Sequence, residues 1–211
     1  MRRLPVYFLL DTSGSMNGEP IQALNNALSG MVNLLRADPQ ASETLWLSIV
    51  TFDREVKEVS PLIDLPSFQL PDIICPPSGP TFTGKGLELI YQKVRVEIRK
   101  GSSTQKGDWR PLLFLFTDGK PNDRQLYNQM IPKIKSLQFG TIIGCAAGPK
   151  ANNDMLKDLC DTVVHLDNID SVTLRQFFKW VSDTIEQGNK SMGTTDLISL
   201  PPPPSEVIQV I

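Results

Sequence analysis

The chain has 211 residues, of which 40% are hydrophobic and 21% are charged, and its formal net charge is −2 at pH 7. These values are typical of one soluble α/β domain, and they exclude the strongly basic surface that would indicate nucleic-acid binding. The sequence contains no apolar run long enough to span a bilayer, so we expect neither nucleic acid nor membrane as a partner.

The cysteines are few and lie far apart, at Cys75, Cys145 and Cys160. Their spacing matches no metal-binding motif, and an odd, sparse set fits a reducing compartment better than a disulfide framework. We therefore expect a cytoplasmic protein.

Short β-prone runs alternate with helical patterns in the first half of the chain. A buried strand is predicted at residues 4–10, and a helix follows in which apolar residues recur at helical spacing up to Leu35. A second strand is predicted at 45–52. The turn at Asp53 leads into a short strand at 56–59, which indicates a hairpin and hence an antiparallel edge strand.

Six prolines between residues 61 and 80 predict a loop. Its apolar residues could pack on the domain or form a docking patch, and they are Ile63, Leu65, Phe68, Leu70, Ile73 and Ile74. We predict that the rim of a partner surface comprises Phe68, Ile73, Phe82 and Lys120.

The second half of the chain continues the alternation. Helices are predicted at 84–100, 124–137 and 152–159, with a last helix that buries the face of Leu174 and Phe178. Strands are predicted at 112–116, 140–146 and 163–166, and the continuous apolar run at 112–116 indicates a central parallel strand. Asp123 is expected at the N-terminus of the helix that it precedes.

The whole pattern predicts an α/β, three-layer, Rossmann-like fold. Its sheet should be mostly parallel and six-stranded, with one antiparallel edge strand and helices on both faces. We assign residues 1–188 to this domain and residues 189–211 to a proline-rich C-terminal tail. The apolar end of the tail, 207–211, could pair with a sheet edge of the domain, pair with a partner, or fray.

Polar side chains follow two of the predicted strands, and a third polar segment, Thr-x-Thr-Gly, opens a helix. The residues concerned are Asp11, Ser13, Ser15, Thr81 and Asp118. Ligands of open parallel sheets bind beyond the carboxyl ends of the strands, so these side chains should meet. Ligands that are all oxygen suit Mg²⁺, with Mn²⁺ or Ca²⁺ as alternatives, and count against zinc.

This combination resembles the metal-ion-dependent adhesion site of von Willebrand factor A domains, and the resemblance covers residues 4–187. It selects Thr81 as the fourth ligand, with Thr83 as the alternative. The resemblance implies that the ion keeps a position for a glutamate or aspartate of a partner. It therefore implies a metal-dependent protein-binding module and no enzyme.

A narrower resemblance lies in the opening residues 2–16, in Gly18-Glu-Pro-Ile and in the tail segment Leu200-Pro-Pro-Pro-Pro-Ser-Glu. These segments are similar to the bacterial TerY family, which is linked to tellurite resistance. That resemblance implies a cytoplasmic protein encoded near a kinase and a PP2C-type phosphatase, which would be candidate partners.

Two other functions fit parts of the pattern. The segment Thr12-Ser-Gly-Ser could hold a phosphate at a helix N-terminus, as in a phosphate- or flavin-binding enzyme of flavodoxin-like fold, although no Gly-rich phosphate loop is present. The domain could also be a subunit that partners an ATPase. The single histidine, His165, lies in a strand pattern, and no base is evident beside Ser13 or Ser15, so no hydrolase triad is predicted.

Overall fold

The computed structural model describes residues 2–77, 79–149, 151–191 and 200–211. The strands are β1 (Leu4–Asp11), β2 (Leu45–Phe52), β3 (Val56–Asp64), β4 (Leu112–Thr117), β5 (Thr141–Ala147), β6 (Thr162–Leu166) and β7 (Ile208–Gln209). The helices are α1 (Glu19–Ala37), α2 (Pro39–Thr44), α3 (Thr83–Glu97), α4 (Arg124–Lys135), α5 (Asn153–Lys157) and α6 (Ser171–Ser191), and one 3-10 turn spans Gly14–Met16.

The strands form one sheet with the order β3-β2-β1-β4-β5-β6-β7. The five central strands run parallel, while β3 and β7 pair antiparallel at the two edges. The mostly parallel α/β prediction is therefore confirmed, but the described residues contain seven strands rather than six. The additional strand is β7, so both edges, and not one, are antiparallel.

Helices cover both faces of the sheet, as predicted. Residues of α1, α2 and α6 pack with Val6 and Phe8 of β1, whereas residues of α3, α4 and α5 lie in the cluster of Tyr7 and Leu9. Alternate residues of a strand point to opposite faces, so both faces of β1 are buried along its whole length. In the described part of the chain, no helix is long and apolar enough to cross a membrane.

Two elements differ from the sequence prediction. β3 continues beyond residue 59, through Pro61 to Asp64, and its register with β2 shifts between Ser60 and Ile63. A proline is tolerated there because an irregular edge strand does not need its N–H. The short helix α2 follows Asp38, whose side chain accepts hydrogen bonds of 2.8 and 3.1 Å from the first-turn N–H groups.

The loop after β3 packs against the domain. Leu65, Phe68 and Ile73 are at most 2% exposed and belong to the core around α1. The prediction that Phe68 and Ile73 form the rim of a partner surface is therefore wrong. A run of alternating prolines and apolar residues has no helical or strand period, so the sequence does not separate inward from outward side chains. Ile74, by contrast, is 78% exposed.

The described part of the tail returns to the domain. Trp180 donates a hydrogen bond of 2.9 Å from its indole N–H to the carbonyl of Pro201. Val207 is 3% exposed and joins the core, and Ile208 pairs with His165 of β6. Of the alternatives for the tail end, the structure therefore has the one in which it extends the domain's own sheet. The boundary at residue 188 stays a prediction, because α6 runs to Ser191 and residues 192–199 lie outside the described residues.

Shortening Val207 should loosen this attachment. We expect Val207→Ala to lower the free energy of unfolding by about 1–2 kcal/mol, because the lost methyl groups leave unfilled space in the core. Ile208→Ala is the matched control, since Ile208 is 48% exposed and its truncation should change stability by less than about 0.5 kcal/mol. Urea denaturation measures both, and equal effects would contradict the docked tail.

Candidate metal centre

The carboxyl ends of β1 and β4 meet where the order of the strands reverses. Asp11 ends β1 and is fully buried. Its Oδ2 accepts a hydrogen bond of 2.6 Å from the hydroxyl of Thr117 at the end of β4, and its Oδ1 accepts one of 2.8 Å from the N–H of Ser13. The carboxylate of Asp11 therefore joins the two strand ends and the loop that follows β1.

The two serines of this loop present their hydroxyls together. The Oγ atoms of Ser13 and Ser15 are 3.3 Å apart. The 3-10 turn brings them together, because the N–H of Met16 donates to the carbonyl of Ser13 at 2.9 Å and the Met16 side chain is anchored in the core. The turn therefore places both hydroxyls on one side of the loop.

Thr81 reaches the same edge of the sheet from the loop before α3. Asn122 makes two hydrogen bonds to the backbone of Thr81. The side-chain Oδ1 of Asn122 accepts from the N–H of Thr81 at 2.7 Å, and the backbone N–H of Asn122 donates to the carbonyl of Thr81 at 2.8 Å. A Cβ added to Gly119 would lie 3.2 Å from the Thr81 hydroxyl. That hydroxyl therefore lies beside the turn that carries Asp118. The hydroxyl of Thr83, the alternative ligand, is buried and has no hydrogen-bond partner among the described residues, so both threonines remain candidates.

Two carboxylates are buried in this site. Burial, and after it the negative charge of Asp118, raises the pKa of Asp11 to about 6, although hydrogen bonds from Ser13 and Thr117 act in the opposite direction. Asp118 is itself only 7% exposed. Burial and like charge both disfavour the ionised form of Asp11, and a bound cation would favour it.

The raised pKa of Asp11 predicts an unusual pH dependence for the metal-free domain. An aspartate whose pKa is higher in the folded than in the unfolded protein binds its proton more tightly when folded. Ionised Asp11 therefore lowers the free energy of unfolding above pH 6, and protonation removes this effect as the pH falls. From pH 7 to pH 5 this group should add about 1 kcal/mol to the free energy of unfolding.

Urea denaturation in EDTA measures this effect, and Asp11→Asn is the control because it cannot titrate. The difference between the two proteins should shrink as the pH falls from 7 to 5. A difference that stays constant over this range would contradict the raised pKa.

The side chains fit a hard divalent cation by their chemistry. No group of three or more His, Cys, Asp or Glu residues within the described ranges could hold a metal ion, so an ion bound here would also need hydroxyl oxygens as ligands. The buried carboxylates bring negative charge, and the serine and threonine hydroxyls bring neutral oxygen donors. Such a set suits Mg²⁺ and similar ions better than zinc, which prefers sulfur and nitrogen ligands.

Asp53 braces the loop of the two serines. Its Oδ2 accepts a hydrogen bond of 3.0 Å from the hydroxyl of Thr12, and its Oδ1 accepts one of 2.9 Å from the N–H of Glu55. Asp53 therefore belongs to the hairpin turn, as predicted, and it also connects that turn to the candidate metal centre.

Asp123 lies at the N-terminus of α4, as predicted, but its side chain caps a different helix. Its carboxylate accepts hydrogen bonds of 3.1 and 2.9 Å from the N–H groups of Gly84 and Lys85 in the first turn of α3. It makes no side-chain cap to α4, the helix that it precedes. The sequence signal, an aspartate before a helical pattern, indicates a cap but cannot indicate that the capped helix lies 39 residues away.

Thr117 and Asn122 position the site without having been singled out in the sequence. Thr117 precedes Asp118 in the motif, and its orientation toward Asp11 follows only from the pairing of β1 with β4. Of the predicted partner residues, Phe82 is half-buried, with the Lys85 ammonium 4.5 Å from its ring centroid, and Lys120 is exposed. Both therefore remain available at the surface.

Comparison with known proteins places this fold in a family. The family model of the von Willebrand factor type A domain matches residues 6–180, and no curated protein matched the sequence. Proximal thread matrix protein 1 from the mussel byssus, solved with a zinc-occupied MIDAS motif, is 19% identical at a TM-score of 0.64, over 86% of this chain and 48% of that one.

Two bacterial structures are also similar. The von Willebrand factor type A protein from Catenulispora acidiphila is 16% identical at a TM-score of 0.66, over 88% of this chain and 43% of that one. BatB from Bacteroides thetaiotaomicron is 14% identical at a TM-score of 0.55, over 87% of this chain and 99% of that one. The chain thus spans less than half of the mussel and Catenulispora structures, and at these identities the likeness concerns the fold.

Proposed function

Because the chain belongs to the von Willebrand factor type A domain family, whose members commonly mediate protein–protein interaction, we propose that it is a metal-ion-dependent protein-binding module. The residues that would hold the ion are Asp11, Ser13, Ser15, Thr81 and Asp118. The observation that carries the proposal is the meeting of a buried Asp11, two adjacent serine hydroxyls and the Thr81 hydroxyl at the carboxyl ends of β1 and β4.

A bound Mg²⁺ would supply positive charge and a coordination position for an acidic side chain of a partner. Asp11 would take part as an ionised carboxylate, with Thr117 and Ser13 fixing its orientation. Mg²⁺ is favoured because the donors are all oxygen, and Mn²⁺ or Ca²⁺ could replace it. The zinc-occupied MIDAS motif of the mussel protein supports a divalent ion at this place in the fold.

Isothermal titration calorimetry with Mg²⁺, Mn²⁺ and Ca²⁺ tests whether the ion binds. We expect one site in the wild type and none in Asp118→Ala. Asp167→Ala is the matched control, because the Asp167 side chain is 72% exposed and lies outside the site. Binding of equal strength in all three proteins would refute the assignment of the ligands.

The partners are the second part of the proposal. The similarity to the TerY family supports a role in a tellurite-resistance or related stress system of the bacterial cytoplasm, with a kinase and a PP2C-type phosphatase as partners. The purified products of a neighbouring kinase gene and a neighbouring phosphatase gene are the first proteins to test. We expect capture in Mg²⁺, loss in EDTA and loss in Asp118→Ala; capture that ignores both the chelator and the substitution would refute it.

The phosphate- or flavin-binding alternative is less well supported by the electrostatics. The N–H of Ser13 donates to Asp11, so the loop does not offer that donor to an anion. The first helix, α1, begins only at Glu19, and the buried charges of Asp11 and Asp118 would repel a phosphate. A role as the subunit that partners an ATPase remains compatible with the same metal centre and differs from our proposal only in the partner.

A further inference from the structure

A cleft of about 600 Å³ opens beside the candidate metal centre, between β3 and the loop that returns from it. Its lining residues include the exposed or half-buried Arg54, Val59, Asp72, Ile74 and Pro76. The cleft begins at the hairpin turn of Asp53 and extends along β3. Asp53 is hydrogen-bonded to Thr12, which lies in the loop that follows β1 and carries Ser13 and Ser15. A peptide that reaches the metal centre from this side would therefore lie in the cleft.

Contacts from other segments of the chain hold the apolar wall of the cleft in place. The side-chain amide of Asn25 in α1 holds the backbone of Ile73 at both its carbonyl and its N–H, with distances of 2.9 and 3.0 Å. The Sγ of Cys75 lies 3.2 and 3.1 Å from the carbonyl oxygens of Thr12 and Ser13. Ile73 and Cys75 are therefore both fixed. Ile73 points into the core, and Ile74 between them is held outward.

The exposure of Ile74 to water is unfavourable, and contact with a partner would remove that exposure. Ile74 is 78% exposed, and its side chain lines the cleft together with Val59 and Pro76. Burying an aliphatic side chain against this wall is favourable by the hydrophobic effect. The wall therefore fits an aliphatic residue of a partner rather than a polar one.

The charges at the two ends of the cleft are opposite. Arg54 lies at the metal end, in the hairpin turn, and forms no ion pair with another described residue within 4 Å. Glu55 and Lys57, which also line the cleft, pair with each other at 3.2 Å. Asp72 lies at the far end, three residues before Cys75, which is about 10 Å in an extended segment.

We propose that this cleft binds the partner segment next to the carboxylate on the metal, and that the segment carries an aliphatic residue followed by a basic one. The acidic residue would bind the ion near Arg54, the aliphatic residue would pack on Ile74, and the basic residue would face Asp72. Ile74 adjoins Cys75, whose Sγ contacts the carbonyls of Thr12 and Ser13, and Asp72 lies two residues before Ile74, a spacing that an extended peptide also covers in about two residues. The inference rests on the proposed metal-dependent function and specifies the chemistry of its partner.

Selection from a random heptapeptide phage library tests the proposal. The full chain is immobilised in Mg²⁺, bound phage are eluted with EDTA, and the selected peptides are sequenced. We expect an acidic residue with an aliphatic residue two or three positions away and a basic residue beyond it. The selected peptide should bind Ile74→Asp about tenfold more weakly than wild type, and Asp72→Lys should change the preferred outer residue from basic to acidic.

The control variant is Val96→Asp, because Val96 is an aliphatic residue on α3, outside the cleft, that is 85% exposed. It should bind the selected peptide as the wild type does. Calorimetry with Mg²⁺ should give the same affinity for the wild type, Ile74→Asp and Val96→Asp, which shows that the metal centre is intact.

The outcomes separate this inference from the function on which it rests. EDTA-eluted peptides that carry an acidic residue but bind Ile74→Asp as tightly as wild type would overturn the cleft and leave the metal-dependent module in place. A selection that yields no EDTA-eluted peptide, from a protein that binds no Mg²⁺, would overturn both.

Discussion

Asp11→Asn should weaken Mg²⁺ binding by on the order of 100-fold and yet make the metal-free domain more stable, by about 2 kcal/mol at pH 7. The loss of affinity follows because one of the two buried carboxylates no longer attracts the cation. The gain in stability follows because the neutral amide removes the charge of Asp11, which burial and the nearby charge of Asp118 disfavour so strongly that the pKa of Asp11 rises to about 6. The amide can still accept from the N–H of Ser13 and donate to the hydroxyl of Thr117.

Calorimetry measures the affinity, and urea denaturation in EDTA measures the stability. Asp72→Asn is the matched control, since Asp72 is exposed and should change neither quantity. In saturating Mg²⁺ the order of stability should reverse, because the wild type gains about 2.7 kcal/mol more from the bound ion than a variant that binds it about 100-fold more weakly. An Asp11→Asn protein that is less stable than wild type in EDTA would contradict the buried charge repulsion.

The two opposite effects expected of Asp11→Asn, weaker Mg²⁺ binding and higher stability, would indicate that Asp11 serves metal binding rather than the stability of the fold. Buried charges that destabilise a fold cluster at functional sites, and under our proposal the charge of Asp11 serves to attract a cation. The hydrogen bonds to Asp11 hold the carboxylate in place without neutralising it. In the proposed metal centre, the carboxylate of Asp11 is therefore already oriented in the metal-free domain.

The sequence predicted that Asp11 and Asp118 lie at one edge of the sheet because two features are local. Continuous apolar runs identify β1 and β4, and polar residues at the ends of parallel strands must lie at one edge of the sheet. The positions of Asp11 and Asp118 follow from these two facts alone. Thr81 needed the structure, because it enters from a loop whose path is fixed by Asn122 rather than by any periodicity.

Interactions between distant segments explain what the sequence could not predict. Asp123 caps α3 at Gly84, which lies 39 residues earlier, and Ile73 is oriented by Asn25, which lies 48 residues away. For the β-prone tail end the sequence left three alternatives open, and the burial of Val207 in the core, which places β7 at the domain's own sheet edge, is seen only in the structure. Such contacts depend on the folded arrangement, and a single sequence carries no pattern for them.

The contact between α3 and α4 gives the second large effect that we expect. A Cβ added to Gly84 would lie 2.6 Å from the backbone nitrogen of Tyr127 and 2.8 Å from the Oδ2 of Asp123. Neither atom can yield easily, since the first belongs to the backbone of α4 and the second caps α3. Gly84→Ala should therefore lower the free energy of unfolding by about 3 kcal/mol, from overpacking together with the loss of the cap.

Gly30→Ala is the matched control for this substitution. Gly30 is an exposed helical glycine in α1, and a Cβ added there would meet no atom within 4 Å. The control should raise stability by about 0.5–1 kcal/mol, because alanine loses less backbone entropy than glycine in a helix. The same substitution in two helices should thus have opposite signs in urea denaturation, and effects of the same sign would contradict the close approach of α3 to α4. Because Asp123 and Asn122 are neighbours in one loop, Gly84→Ala should also displace Thr81 and weaken Mg²⁺ binding, whereas Gly30→Ala should leave the affinity unchanged.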